Sequence, residues 1–192
     1  MRIYTRKGDS GTTGLLYGGA RVSKADLRTD AGGSTDEAVS HLGIARASFG
    51  ALTDRVEARL HKLVLRLQRE LFVVGAELAT QPSRRSRLKA GMTLVTAEMV
   101  TALEQEIDGL EADHPMPKEF VIPGESTSGA ALDVARSSVR RAERRIVALA
   151  EAGGLPADSQ VMPYMNRLAD LLFVMARAAD GGFLPLHEDN IT

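Results

Sequence analysis

The sequence predicts an all-α fold, a five-helix up-and-down bundle with a glycine-rich N-terminal arm. Three observations carry this. Five segments place apolar residues at helical spacing, and no stretch alternates apolar and polar residues over the length of a strand. Aromatic residues make up only 4% of a chain that is 44% hydrophobic, a balance that favours helices over a β-sandwich. At 192 residues the chain is long enough for a sizeable core and is read as one domain: an arm over 1–33, the bundle over 34–180 and a tail over 181–192.

The arm has little periodicity and much glycine, concentrated around Thr5-Arg6-Lys7-Gly8-Asp9-Ser10-Gly11-Thr12-Thr13-Gly14. Glycines let a backbone approach a ligand closely, and consecutive amides can form an anion-binding nest. Arg6, Lys7, Thr12 and Thr13 add cationic and hydroxyl donors. The spacing matches neither a Walker A loop nor a dinucleotide fingerprint, so a flexible arm stands beside the ligand-binding reading.

Ser34 and Glu37 have the spacing of a capping box and predict the start of the first helix, with Leu42, Ala45 and Phe49 buried. Asp36 and Glu37 then fall in its first turn, where the helix dipole favours acids. A second helix is predicted from about Asp54 to Ala79, with Leu60, Leu63, Leu67, Leu71 and Leu78 inward. Gln81–Gly91 reads as a polar, basic, mobile loop. A third helix covers roughly Thr96–Ala112, and the proline-bearing stretch Asp113–Glu125, containing Phe120-Val121-Ile122, reads as extended. The fourth runs from about Ser126 to Ala152 and stops at Gly153-Gly154. The fifth runs from about Ser159 to Asp180, with Met165, Leu168, Leu171, Leu172 and Met175 on its core side.

The fourth helix carries the densest chemistry, five arginines within Arg136–Arg145 in a chain of net charge −1. At about 100° per residue, Arg136, Arg140, Glu143 and Arg144 share a stripe beside the apolar one, while Arg141 and Arg145 point the other way. Glu143 is spaced to fix the fork of Arg140. Guanidiniums grip phosphate bidentately and stay charged, so the row suits a polyanion; a solvated charged face is the plainer reading.

Other classes are disfavoured. The near-neutral charge argues against a general nucleic-acid binder. The chain has no cysteine for disulfides or thiolate metal sites, and no Glu-x-x-His pair for a di-iron bundle. His41, His61, His114 and His187 are scattered and read as packing or surface histidines. No apolar run approaches a membrane span and Met1-Arg2-Ile3-Tyr4 lacks a signal-peptide core, so a soluble cytoplasmic protein is expected.

Five blocks in order resemble the PduO-type ATP:cob(I)alamin adenosyltransferases: Tyr4–Leu15, Arg21-Val22-Ser23-Lys24, Gly33–Glu37, Arg136–Arg145 and Asn166-Arg167-Leu168-Ala169-Asp170. The resemblance spans nearly the whole chain. It implies a ferritin-like bundle assembling as a homotrimer, with ATP between neighbouring subunits and cobalamin as the second substrate. It assigns ATP binding to Thr5, Arg6, Lys7, Gly8, Thr12, Thr13, Lys24, Arg140, Arg144 and Asn166. It makes Arg140, Glu143, Arg144 and Phe120 the catalytic set, with Phe120 against the corrin, keeping the lower axial ligand from cobalt. Asp36 and Arg136 would form a salt bridge across the interface. Mg²⁺ would be held mainly by ATP phosphates, with Glu143 as the candidate protein ligand. A cobalamin reductase and an adenosylcobalamin-dependent enzyme are the implied protein partners, with no nucleic acid and no membrane. Against the family pattern, Arg6 stands for a more usual lysine, Val39 for an asparagine, Asp133 for a histidine and Glu125 for a glycine. Val39, Asp133 and Glu125 keep a second reading open, a nucleotide- or cobalamin-binding carrier or sensor without efficient turnover.

Overall fold

A computed structural model describes residues 4–50 and 54–187; residues 1–3 of the arm and 188–192 of the tail lie outside the described residues. Five long helices form the bundle: α1 (Leu27–Ser48), α2 (Arg55–Leu78), α3 (Ala97–Asp113), α4 (Thr127–Glu151) and α5 (Val161–Asp180). Helix α4 lies between α1 and α5, α2 packs on α1 and α5, and α3 packs on α5. Ion pairs from Arg59 and Arg66 to Glu106 (3.2 and 3.1 Å) join α2 to α3. One connected core draws on all five helices, including Leu42, Leu67, Leu103, Ile146 and Leu168. No helix among the described residues is long and apolar enough to cross a membrane.

Local chemistry sets most helix ends where the sequence predicts them. Asp54 accepts from the amides of Val56 and Glu57 (2.7 and 2.9 Å), and Ser126 from that of Gly129 (2.9 Å), each cap worth about 1 kcal/mol. Thr96 caps α3 through the Met99 amide. Helix α4 ends in a Schellman turn: Gly153 adopts φ +75°, and the Gly153 and Gly154 amides reach back to the carbonyls of Ala150 and Leu149 (2.9 and 2.8 Å).

The start of α1 differs from the prediction. The helix begins at Leu27, capped by Asp26 on the Arg28 amide, and continues straight through Gly32 and Gly33. Ser34 and Glu37 therefore form no capping box, and Asp36 and Glu37 sit well inside the helix rather than in its first turn. The reason is long-range. Arg28, buried, donates to the carbonyls of Leu78 (2.6 Å), Thr80 (3.0 Å) and Gly154 (2.6 Å), clamping the ends of α2 and α4. Burial pushes its pKa below the usual arginine value. Those contacts, with Ala31 fully buried, outweigh the roughly 1 kcal/mol that each helical glycine costs.

The segment predicted as a mobile loop carries a 3₁₀ helix at Pro82–Arg87. Arg85 pairs with buried Glu77 at 2.6 Å, and the same carboxylate accepts from the Val95 amide and the Ser159 hydroxyl (2.8 and 2.7 Å). Two antiparallel ladders also appear, β1 (Thr12–Thr13) with β2 (Val22–Ser23) and β3 (Val121–Ile122) with β4 (Leu184–Pro185). Strands of two residues are too short to show an alternating pattern, so the sequence gives no sign of them.

Candidate active site

The glycine-rich segment folds as a hairpin seated on the bundle. Gly11 at φ +76° makes the turn into β1; its amide reaches the Gly8 carbonyl (3.1 Å) and its carbonyl accepts from the Lys24 amide (2.9 Å). Arg21 staples the two strands. Its Nε donates to Thr12 Oγ1 (3.0 Å), and its Nη2 to the carbonyls of Lys7 (2.8 Å) and Thr12 (2.7 Å). The Lys24 side chain lies along Gly8, so close that a Cβ there would stand 3.1 Å from Nζ. The Leu16 amide bonds the Ala79 carbonyl (2.9 Å), which ties the hairpin to the end of α2. Thr5, Arg6, Lys7 and Lys24 are exposed and Gly8, Thr12 and Thr13 partly so, with the Arg6 guanidinium 5.5 Å from the Tyr4 ring. The structure thus gathers Lys24 with Gly8–Thr13, and it adds Arg21 as the residue that shapes the loop. The Arg21–Lys24 block signals the hairpin's importance, but nothing in the sequence shows which carbonyls Arg21 takes.

On α4 the arginines separate by partner. Arg141 pairs with Glu37 and Arg145 with Asp30 (3.2 Å), both on α1, while Arg136 pairs with Asp133 (3.0 Å). Arg140 and Arg144 are exposed, and neither has an ion-pair partner among the described residues. Glu143 does not fix the Arg140 fork. It reaches across to α5, where Oε1 accepts from Asn166 Nδ2 at 3.3 Å. Asn166 in turn accepts from Arg167 (2.9 Å), itself bound to Glu104 on α3 (3.0 Å). Below Glu143 and Asn166 a groove of about 690 Å³ opens between α4 and α5, lined also by Leu155, Pro156, Ser159 and Gln160. Among the described residues, no hydrogen bond or ion pair joins the hairpin to Arg140, Arg144 or Asn166.

Phe120 stands 81% exposed beside β3. Its carbonyl accepts from the Leu186 amide at 2.7 Å, extending the β3–β4 ladder, so the tail holds the linker that presents the ring. Behind the ring is a cavity of about 520 Å³ lined by Pro117, Val121, Asp133, Arg136, Phe173 and Arg177. Asp133, Arg177 and Phe173, which the sequence reading leaves without site roles, form its inner wall. Asp36 on α1 is exposed and makes no ion pair within the chain among the described residues; Arg136 meets Asp133 instead.

No cluster of three or more metal-ligating His, Cys, Asp or Glu side chains occurs among the described residues. Magnesium does not need one, because it keeps waters and takes one or two carboxylates when phosphates supply the other oxygens. Glu143 fits that minimal role, since Oε2 takes no hydrogen bond among the described residues.

The bundle thus offers a stapled glycine-rich hairpin, two exposed guanidiniums without ion-pair partners among the described residues, and a cavity of mixed polarity beside an exposed phenylalanine. The chain belongs to the cobalamin adenosyltransferase family, whose profile matches residues 3–179. It is 43% identical over 176 residues to a corrinoid adenosyltransferase of Citrobacter freundii, covering 92% of this chain and 93% of that one. It is 37% identical over 180 residues to a corrinoid adenosyltransferase of Bacillus subtilis, covering 94% and 87%. Among solved structures, it superposes with a TM-score of 0.83 on a variant PduO-type ATP:corrinoid adenosyltransferase from Lactobacillus reuteri complexed with cobalamin and ATP. That pair is 30% identical, with 98% of this chain and 97% of the other covered.

Proposed function

We propose that the protein transfers the 5′-deoxyadenosyl group of ATP to cob(I)alamin, giving adenosylcobalamin and triphosphate. The observation that carries the reading is the division of labour on α4: Arg136, Arg141 and Arg145 form ion pairs within the chain, while Arg140 and Arg144 are exposed and have no ion-pair partner among the described residues. Two exposed guanidiniums one turn apart, with only a backbone bond from Arg144 to the Arg140 carbonyl (3.1 Å) between them, suit a chain of phosphates.

In this reaction the electron pair of cobalt(I) forms the bond to C5′ as the C5′–O bond breaks, and triphosphate leaves with the bonding pair. The chemistry needs no general base. It needs positive charge held ready where negative charge accumulates on the leaving group. Arg140 and Arg144 supply that charge from α4, and Lys7, Lys24 and the hairpin amides from the arm. Glu143 and Asn166 orient the nucleotide, and Glu143 would hold Mg²⁺ together with the phosphates, the ion adding further neutralisation of the leaving group. Phe120 covers the cobalt face from which water and a lower ligand must be kept.

The reading includes a homotrimer with ATP between subunits. That no hydrogen bond or ion pair joins the hairpin to the α4 row among the described residues supports it, because a shared site would draw the two halves from different copies. In that assembly Asp36 of one copy pairs with Arg136 of the next. The proposed setting is the cytoplasm, with a cobalamin reductase supplying the reduced substrate and an adenosylcobalamin-dependent enzyme receiving the product.

The test is incubation with ATP, Mg²⁺ and chemically reduced cobalamin. A light-sensitive adenosylated product is expected, with stoichiometric triphosphate. Binding of both substrates without product would favour the carrier or sensor reading.

A further inference from the structure

The hold on Arg136 goes beyond what a single interface pair needs. Its Nε donates to Asp133 Oδ1 at 3.0 Å, and its terminal nitrogens make no bond among the described residues. Asp133 is 7% exposed, and its other oxygen receives Arg177 Nη2 at 2.6 Å. Arg177, 3% exposed, shares that nitrogen with Asp180 (3.0 Å), whose other oxygen accepts from the Ser126 hydroxyl (2.7 Å). Both guanidiniums lie against the ring of Phe173, 5.8 Å away for Arg136 and 5.3 Å for Arg177. Arg136 and Phe173 line the cavity behind Phe120 and also the neighbouring cavity that contains Arg140. They are the partition between the two.

We propose that Asp133 is a positioning residue for the cobalamin side of the site. This rests on the transferase reading above. One carboxylate fixes two guanidiniums on a shared aromatic ring and so sets the wall of the cavity behind Phe120. A guanidinium held by Nε alone keeps its terminal fork free, which orients Arg136 for a second carboxylate supplied from outside the chain. A carboxylate that served only to stabilise the bundle would have no reason to act on one substrate more than the other.

The decisive experiment compares Asp133→Asn, Arg136→Gln and the double variant, with ATP and cob(I)alamin titrated separately. Asp133→Asn is expected to raise the KM for cobalamin about tenfold or more while the KM for ATP stays within about twofold. It should also convert the cob(II)alamin EPR signal with ATP bound from four- to five-coordinate. Arg136→Gln should reproduce the rise in cobalamin KM, with a loss of ATP affinity added because it also breaks the proposed pair with Asp36, and the double variant should show no higher cobalamin KM than Arg136→Gln, because Asp133 acts through Arg136. A parent-like cobalamin KM in Asp133→Asn, or a loss spread equally over both substrates, overturns the proposal. If Asp133→Asn does not fold, Arg136→Gln decides, since it leaves the Asp133–Arg177 pair in place; a normal cobalamin KM there overturns the proposal equally. Should the parent bind cobalamin yet make no product, the transfer reading fails instead, and the Kd values for cobalamin of the same variants judge Asp133 by the same criteria.

Discussion

Arg140 and Arg141 are chain neighbours with opposite fates, one facing outward uncommitted and the other tied to Glu37 on α1. The helical period separates their directions, and this much the sequence shows. It does not show who meets whom. Glu143 is spaced to serve Arg140 but bonds Asn166, because α5 brings an amide closer than the turn below brings a guanidinium. Arg140→Ala should lower kcat by about two to three decades with unchanged helicity, the effect of removing one charge-assisted contact to a leaving phosphate. A folded variant with parent-like turnover would detach Arg140 from the triphosphate. Arg21→Ala removes three hydrogen bonds from the hairpin and none from the core. It should raise the KM for ATP by about tenfold, leaving the circular dichroism spectrum and the cobalamin KM unchanged; an unaltered ATP titration would show that the loop keeps its shape unaided.

At the scale of elements, legibility tracks how local the determining contacts are. The starts of α2, α3 and α4 rest on Asp54, Thr96 and Ser126, side chains bonding amides two or three residues on, and the sequence places them well. The start of α1 rests on Arg28 bonding carbonyls at Leu78, Thr80 and Gly154, and no local pattern reports that. Gly32 and Gly33 therefore read as arm when they are helix. The stretch Phe120-Val121-Ile122 reads as extended, but nothing local shows that the tail holds it, since the partner Leu186 lies far along the chain. Where α4 begins, Gly129 packs against the end of α5, and a Cβ there would stand 2.0 Å from Asp180 Oδ1. Gly129→Ala should therefore cost about 1–3 kcal/mol and lower Tm by several degrees, as expected of overpacking in a chain of this size. A melting curve superimposed on the parent's would mean that Asp180 can turn aside without loss.

For the whole molecule, the half-sites matter more than any one of them. The hairpin and the α4 row each look complete locally, yet no hydrogen bond or ion pair joins them among the described residues, and the proposed trimer makes them one site. Asp36→Asn tests this. It would leave Arg136 of the neighbouring copy with one partner fewer, at a penalty of about 2–5 kcal/mol if the pair is buried. Trimer content by light scattering and ATP affinity should fall together. A variant that stays trimeric and binds ATP as the parent does would return Asp36 to being a surface acid. The β3–β4 clasp has a mechanical consequence as well. It closes the chain between Phe120 and Leu186 into a loop that holds α4 and α5, with a two-residue ladder as its latch. Tension applied at the tail would open that ladder one bond at a time before it reached the helices. Phe120 would therefore register a pull on the tail while the bundle was still intact.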